Sequence, residues 1–145
     1  MPANNVSSND KTLLEMIAGS QTPYTIPYNQ RPYKWSQSNW EGLWTSIFSE
    51  DDYSRFLGTI ILLNEVEDNE IFIFDGQQRI TTLTILIKAA IEIVFDMGEQ
   101  ATSGQMYSLI QIVTTGEKRL IVSENLKDYF DNNIQSIPGN KPSQG

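Results

Sequence analysis

The sequence contains no cysteine and no histidine. The first absence excludes disulfides, thiol nucleophiles, thiolate zinc sites and iron–sulfur clusters. The second excludes Ser-His-Asp triads and every nuclease or metal site that depends on imidazole. Carboxylates, amides, hydroxyls, Arg and Lys remain, a set better suited to binding phosphate with Mg2+ than to nucleophilic catalysis. Positive charge is also scarce, with 10 Lys and Arg against 18 Asp and Glu and a net charge of -8. A wide DNA-backbone footprint needs clustered cations, and only Arg31–Lys34 and Lys118–Arg119 approach one. Long apolar runs are missing too. The most apolar, Ile80 to Phe95, is interrupted by Lys88 and Glu92, so it reads as a buried helix and not as a membrane span. The N-terminus has neither the basic region nor the apolar core of a signal peptide, so cytoplasmic localisation without a membrane partner is expected.

The 145 residues are enough for one domain that buries roughly two-thirds of its unfolded surface. Residues 1–10 and 136–145 are rich in Asn, Ser, Gly and Pro and read as disordered tails, which leaves 11–135 as the folded domain. Within it, Asp10 is placed to cap a short helix that Gly19 ends, and Tyr24–Tyr28 is extended, with Pro27 at an edge or strand end. Ser36 or Ser38 caps a helix whose Trp40, Leu43, Trp44, Ile47 and Phe48 form one apolar face. Phe56–Leu63 and Glu70–Phe74 flank a polar turn and predict a hairpin. A central helix is predicted from Thr81 to about Met97, then a polar connection over 98–104. Residues 106–113 fit helix or strand equally, 118–123 fit a strand, and Glu124–Ile134 fits a helix with Leu126, Tyr129 and Phe130 on one side.

Two segments carry most of the available chemistry. The first is Asp75-Gly76-Gln77-Gln78-Arg79, followed after Ile80 by Thr81 and Thr82, between the apolar strand and the central helix. Gly76 lets backbone approach a ligand closely. Gln77 and Gln78 offer amides, and Arg79 offers a planar fork that matches phosphate oxygens. The helix start adds unpaired N–H groups and the positive end of the macrodipole. Spacing alone also fits an ordinary strand, turn and capped helix, with Arg79 paired to a surface acid. The second segment, IPYNQRPYKW over 26–35, places Arg31 and Lys34 among Tyr28, Tyr33 and Trp35. Such a mixture suits stacking on a base or clamping a phosphate, and it equally suits aromatics packed in a core. Nothing in the spacing shows that the two segments meet.

Taken together, IPYNQRPYKW, FLGTIIL, FDGQQRITTLTILI and KRLIVSENLKDYF resemble, in order and spacing, the N-terminal domain family of GmrSD-type restriction proteins. That family lies in the ParB/sulfiredoxin-like superfamily, and the resemblance spans about residues 10 to 135. It implies a small α/β (α+β) fold, with a short mixed sheet, a β-hairpin leading into a central helix, and further packed helices. It also implies an NTP site, often hydrolytic, built on the DGQQR motif, in systems that act against modified phage DNA. By position the motif residues are Asp75, Gly76, Gln77, Gln78 and Arg79, with Thr81 and Thr82 following. Tyr28, Gln30 and Arg31 would form a second wall. Complete members usually carry a C-terminal nuclease domain of the His-Asn-His type, which this chain has no histidine to build. Sulfiredoxin chemistry needs a cysteine, so only the fold relationship carries over.

The expected function is therefore an NTP-binding, NTP-hydrolysing regulatory domain that takes GTP or another nucleotide with Mg2+. Asp75, Gln77, Gln78 and Arg79 would be catalytic, with Asp75 on the metal or a water. Gly76, Gln78, Arg79, Thr81, Thr82, Tyr28, Gln30 and Arg31 would bind the nucleotide. Its partner would be a nuclease domain or subunit outside this chain, with DNA reached through the full system. The alternative is a non-catalytic module that senses modified DNA or a partner nuclease, with Arg31, Lys34 and Trp35 touching DNA. A nuclease acting alone ranks last, because the acidic runs at 50–52 and 65–68 read as solvated loops.

Overall fold

A computed structural model describes residues 6–27, 33–51, 57–65 and 69–140. The chain forms a four-stranded mixed sheet with helices packed around it, in agreement with the expected α+β class. Helix α1 (Leu13–Ala18) starts at Thr12 and not at Asp10. Glu15 decides this, because it stands three residues after Thr12 and closes a reciprocal capping box with it. Strand β1 (Tyr24–Thr25) ends before Pro27 and lies inside the sheet, where Pro27 could not donate to a ladder. Helix α2 (Gln37–Ile47) begins after Ser36.

The predicted hairpin is β2 (Ile61–Glu65) against β3 (Glu70–Asp75), paired antiparallel with an irregularity between Ile61 and Leu62. The first strand starts at Ile61; of the expected run Phe56 lies outside the described residues, and Gly58 at φ +103 interrupts the extended backbone before Ile61. Strand β4 (Leu120–Ile121) completes the order β2-β3-β1-β4, with β1 parallel to both β3 and β4. The outer edge of β4 is closed by a side chain. Gln135, fully buried, donates from Nε2 to the Leu120 carbonyl (2.7 Å) and accepts from the Leu120 N–H (3.0 Å). The amide reproduces the pair of bonds that a further strand would have made.

Helix α3 (Gln77–Asp96) buries Ile80 and Leu83 in the core beside Tyr24, Leu43, Ile73 and Leu120. The polar connection expected over 98–104 is instead helix α4 (Gln100–Met106), packed on α3 with Ser103 fully buried. A 3-10 turn follows (Tyr107–Leu109). Helix α5 (Glu124–Tyr129) widens into a π-helical stretch over Phe130–Ile134. Of its expected apolar side, only Phe130 is buried, whereas Leu126 and Tyr129 are exposed.

Residues 136–139, which by composition read as the start of a tail, are hydrogen-bonded to α3, with Ser136 buried. Lys88 and Glu92 of α3 are buried and form an ion pair at 2.6 Å. The Lys88 Nζ also donates to the carbonyls of Ser136 (2.8 Å) and Ile137 (3.0 Å). Both Glu92 oxygens accept from the Gly139 N–H at 3.0 Å. Two charges in the middle of an apolar helix thus serve as the anchor for a returning segment. Among the described residues, no helix is long and apolar enough to cross a membrane.

Candidate functional site at the start of helix α3

β1 and β3 are neighbours and run parallel, so the segments that follow them leave the sheet from the same end. Ligands of open α/β sheets collect at the carboxyl ends of strands. The first segment turns directly from β3 into α3 through Gly76, at φ 96 and ψ 13. That left-handed conformation is natural for glycine, and a side chain there would also meet Ile60 Cγ1 at 3.0 Å. The helix therefore starts at Gln77, four residues before the expected Thr81, which puts Gln77, Gln78 and Arg79 in its first turn. The first intrahelical bond runs from Ile80 N–H to the Gly76 carbonyl (3.1 Å), and the three N–H groups before it have no acceptor within the helix. Asp75 ends β3 with its side chain exposed.

The motif side chains make specific contacts around this turn. Gln77 donates from Nε2 back to the Ile73 carbonyl (2.8 Å). Arg79 donates from Nη1 to the Thr59 carbonyl (3.1 Å), and its guanidinium lies flat on Gly58. A Cβ at Gly58 would come within 2.6 Å of Arg79 Cζ, so only glycine leaves room for this seat. The Gln78 Oε1 accepts from the backbone N–H groups of Lys34 (2.6 Å) and Trp35 (3.2 Å). Thr81 and Thr82 donate to the carbonyls of Gln77 and Gln78 (2.8 Å each). The Tyr33 hydroxyl meets Thr82 Oγ1 at 2.7 Å and accepts from Trp40 Nε1 at 2.7 Å.

These contacts join what the sequence left separate. The Lys34 and Trp35 end of the aromatic segment is fastened to the DGQQR helix. Tyr28, Gln30 and Arg31 lie outside the described residues. Lys34 is exposed, whereas Trp35 is half-buried and packs against the core. The other basic pair faces inward. Arg119 donates to the carbonyls of Ser108, Ile17 and Ser20, and burial lowers its pKa. Lys118 donates to Tyr107 Oη and Gln111 Oε1.

Three participants escaped the sequence reading: Gly58, Thr59 and Trp40. Gly58 could have been found, since a glycine inside a strand pattern marks a bulge or a close approach. Trp40 gave no such signal, because its spacing assigned it only to an apolar face. Instead Trp40, Trp44 and Phe48 are all exposed, and only Leu43 of that helix is fully buried. Among the described residues, no three Asp, Glu, Cys or His cluster as a metal site. A cavity of about 20 Å³ lies in the core beside Tyr24 and Ile80, and neither Asp75 nor Gly76 lines it. It has room for about one water.

A search of curated proteins finds no match to this chain. The family described as GmrSD restriction endonuclease, N-terminal domain, matches residues 11–144 and so takes in both fastened segments and the helices around them. The chain belongs to the family of GmrSD restriction endonuclease N-terminal domains.

Proposed function

We propose that this domain binds and hydrolyses a nucleoside triphosphate at the start of α3, as the regulatory part of a restriction system directed at modified phage DNA. One observation carries the reading. The first turn of a 20-residue helix, with Arg79 in it and the exposed Asp75 just before it, stands at the end of β3, the strand that runs parallel to β1. Backbone N–H groups at a helix start, together with its dipole, favour an anion. Arg79 spends one donor on Thr59 and, with five in all, keeps others for phosphate oxygens. Mg2+ is usually held by one or two carboxylates plus phosphate oxygens, and the exposed Asp75 fits that role by itself.

The structure separates the two glutamines. Gln78 Oε1 is occupied by two backbone N–H groups, whereas Gln77 bonds through its nitrogen and keeps its oxygen for an attacking water. Gln77 is therefore the water-orienting residue in this proposal, and Asp75 a second acceptor for the water's proton. Thr81 and Thr82 give their hydrogens to helix carbonyls, so their part in binding is secondary. The nuclease would be a separate domain or subunit.

Phosphate release with Mg2+ and each of the four common NTPs tests this. Asp75→Asn and Gln77→Ala should each lower kcat by about 10²-fold or more, the usual scale of positioned acid–base help, with far-UV dichroism unchanged. Turnover equal to wild type in both variants would sink the hydrolytic role. The exposed Trp40, Trp44 and Phe48 favour a second reading, in which α2 docks DNA or the partner nuclease without catalysis. Binding to modified duplex that weakens steeply with salt, in the absence of nucleotide turnover, would select it.

A further inference from the structure

Gln78 sits at both ends of one hydrogen-bond circuit. Its side-chain oxygen accepts from the N–H groups of Lys34 and Trp35. Its backbone carbonyl accepts from Thr82 Oγ1, which meets the Tyr33 hydroxyl, which accepts from the Trp40 indole. The direction of this chain is fixed by donor supply. An indole N–H can only donate, and the single Thr82 hydroxyl hydrogen goes to Gln78. Tyr33 must then give its hydrogen to Thr82 and take that of Trp40. Each hydroxyl accepts one bond and donates one, the arrangement in which such bonds reinforce each other.

We propose that Gln78 is a positioning residue. Its side-chain oxygen and backbone carbonyl anchor a two-point clasp that holds Tyr33–Trp35, and through Trp40 helix α2, against the start of α3. The two fasteners are independent in atoms. One holds main chain at Lys34 and Trp35, and the other holds the Tyr33 ring between α2 and α3. Gln78 thereby acts on a ligand at the motif by holding Tyr33–Trp35 in place and not by touching the reacting phosphate. The exposed aromatic face of α2 is mechanically tied to the motif, so a load on α2 reaches the site through Tyr33. This role is read from the protein's own contacts. Only its kinetic consequence rests on the nucleotide reading.

Amide exchange of the full chain, without nucleotide, is the primary test. Gln78→Leu should raise exchange at the Lys34 and Trp35 amides by about tenfold, equal to about 1.4 kcal/mol. Gln78→Glu keeps an acceptor oxygen at that position and should restore protection to within about twofold. Tyr33→Phe breaks the second fastener, leaves the motif intact and should also loosen both amides. This variant decides the matter if Gln78→Leu does not fold. Protection at wild-type level in both Gln78→Leu and Tyr33→Phe would overturn the clasp. In the kinetic arm, Gln78→Leu should raise KM and leave kcat within a few-fold, whereas a water-orienting Gln78 would lose kcat. Absence of any turnover in wild type would defeat the nucleotide reading and leave the exchange result standing.

Discussion

Replacing Lys88 by methionine should destabilise this domain far more than a single surface charge would. Lys88 is 3% exposed and makes three bonds: to Glu92 at 2.6 Å, to the Ser136 carbonyl at 2.8 Å and to the Ile137 carbonyl at 3.0 Å. Methionine fills similar volume, so packing is nearly conserved, but the Glu92 carboxylate stays buried with only the Gly139 N–H as its remaining partner among these groups. Removing one member of a buried pair costs about 3–5 kcal/mol, chiefly because the other charge is left uncompensated. At 2–4 °C per kcal/mol for a chain near this size, Tm should fall by roughly 6–20 °C. A domain stable by about 5–15 kcal/mol loses a large share of its margin. Urea unfolding of Lys88→Met, Glu92→Leu and the double variant measures the coupling. The double variant should cost clearly less than the two singles added together. Lys127→Met removes a comparable i,i+4 pair, Lys127–Asp131, whose side chains are 50% and 19% exposed, and it should cost less than about 1 kcal/mol. If Lys88→Met stays within about 0.5 kcal/mol of wild type, the claim that this pair anchors residues 136–139 is wrong.

Two further outcomes follow from single positions. Gly58→Ala puts a methyl within 2.6 Å of Arg79 Cζ at a φ of +103, so it should cost about 1–3 kcal/mol of strain. It should also lower phosphate release by displacing Arg79, and both effects are readable in one preparation. Alkaline stability should depend on Tyr24, whose phenol is pushed above its ordinary 10.0 mainly by burial. Its neutral form is favoured by folding, so the contribution is complete below pH 10 and is lost as pH rises through the higher folded value. Tyr24→Phe should flatten that alkaline decline in a urea series, after losing the bond from Tyr24 to the Met16 carbonyl, which contributes about 1 kcal/mol. A decline of equal steepness in the variant would assign it to other groups.

Particular residues show how far the sequence was legible. The glycine turn after the hairpin and the long helix were readable because an apolar strand, Gly76 and an apolar helical run follow one another without interruption. The helix start was misplaced by four residues, since nothing in QQR says that Gly76 adopts a left-handed cap and begins the helix at once. Helix α4 was missed because QATSGQM carries no apolar period, and its order comes from packing Ser103 against α3. The periodicity of α2 was read correctly as a face, but period alone does not say whether a face meets the core. Leu43 does, and Trp40 and Trp44 do not. The approach of the two motif segments depended on sheet order. A parallel β1–β3 pairing joins residues some 47 positions apart, Tyr24 to Ile71, and no local rule encodes it. The different contacts of Gln77 and Gln78 depended on that same approach.

The central claim is that the start of α3 is a nucleotide site, and calorimetric or thermal titration with Mg2+ and each NTP addresses it most directly. At about 100 times its dissociation constant, one NTP should stabilise the folded domain by about 2.7 kcal/mol. Arg79→Lys, which loses the planar fork, should weaken that binding. No heat of binding and no shift in Tm with any of the four nucleotides would contradict the account.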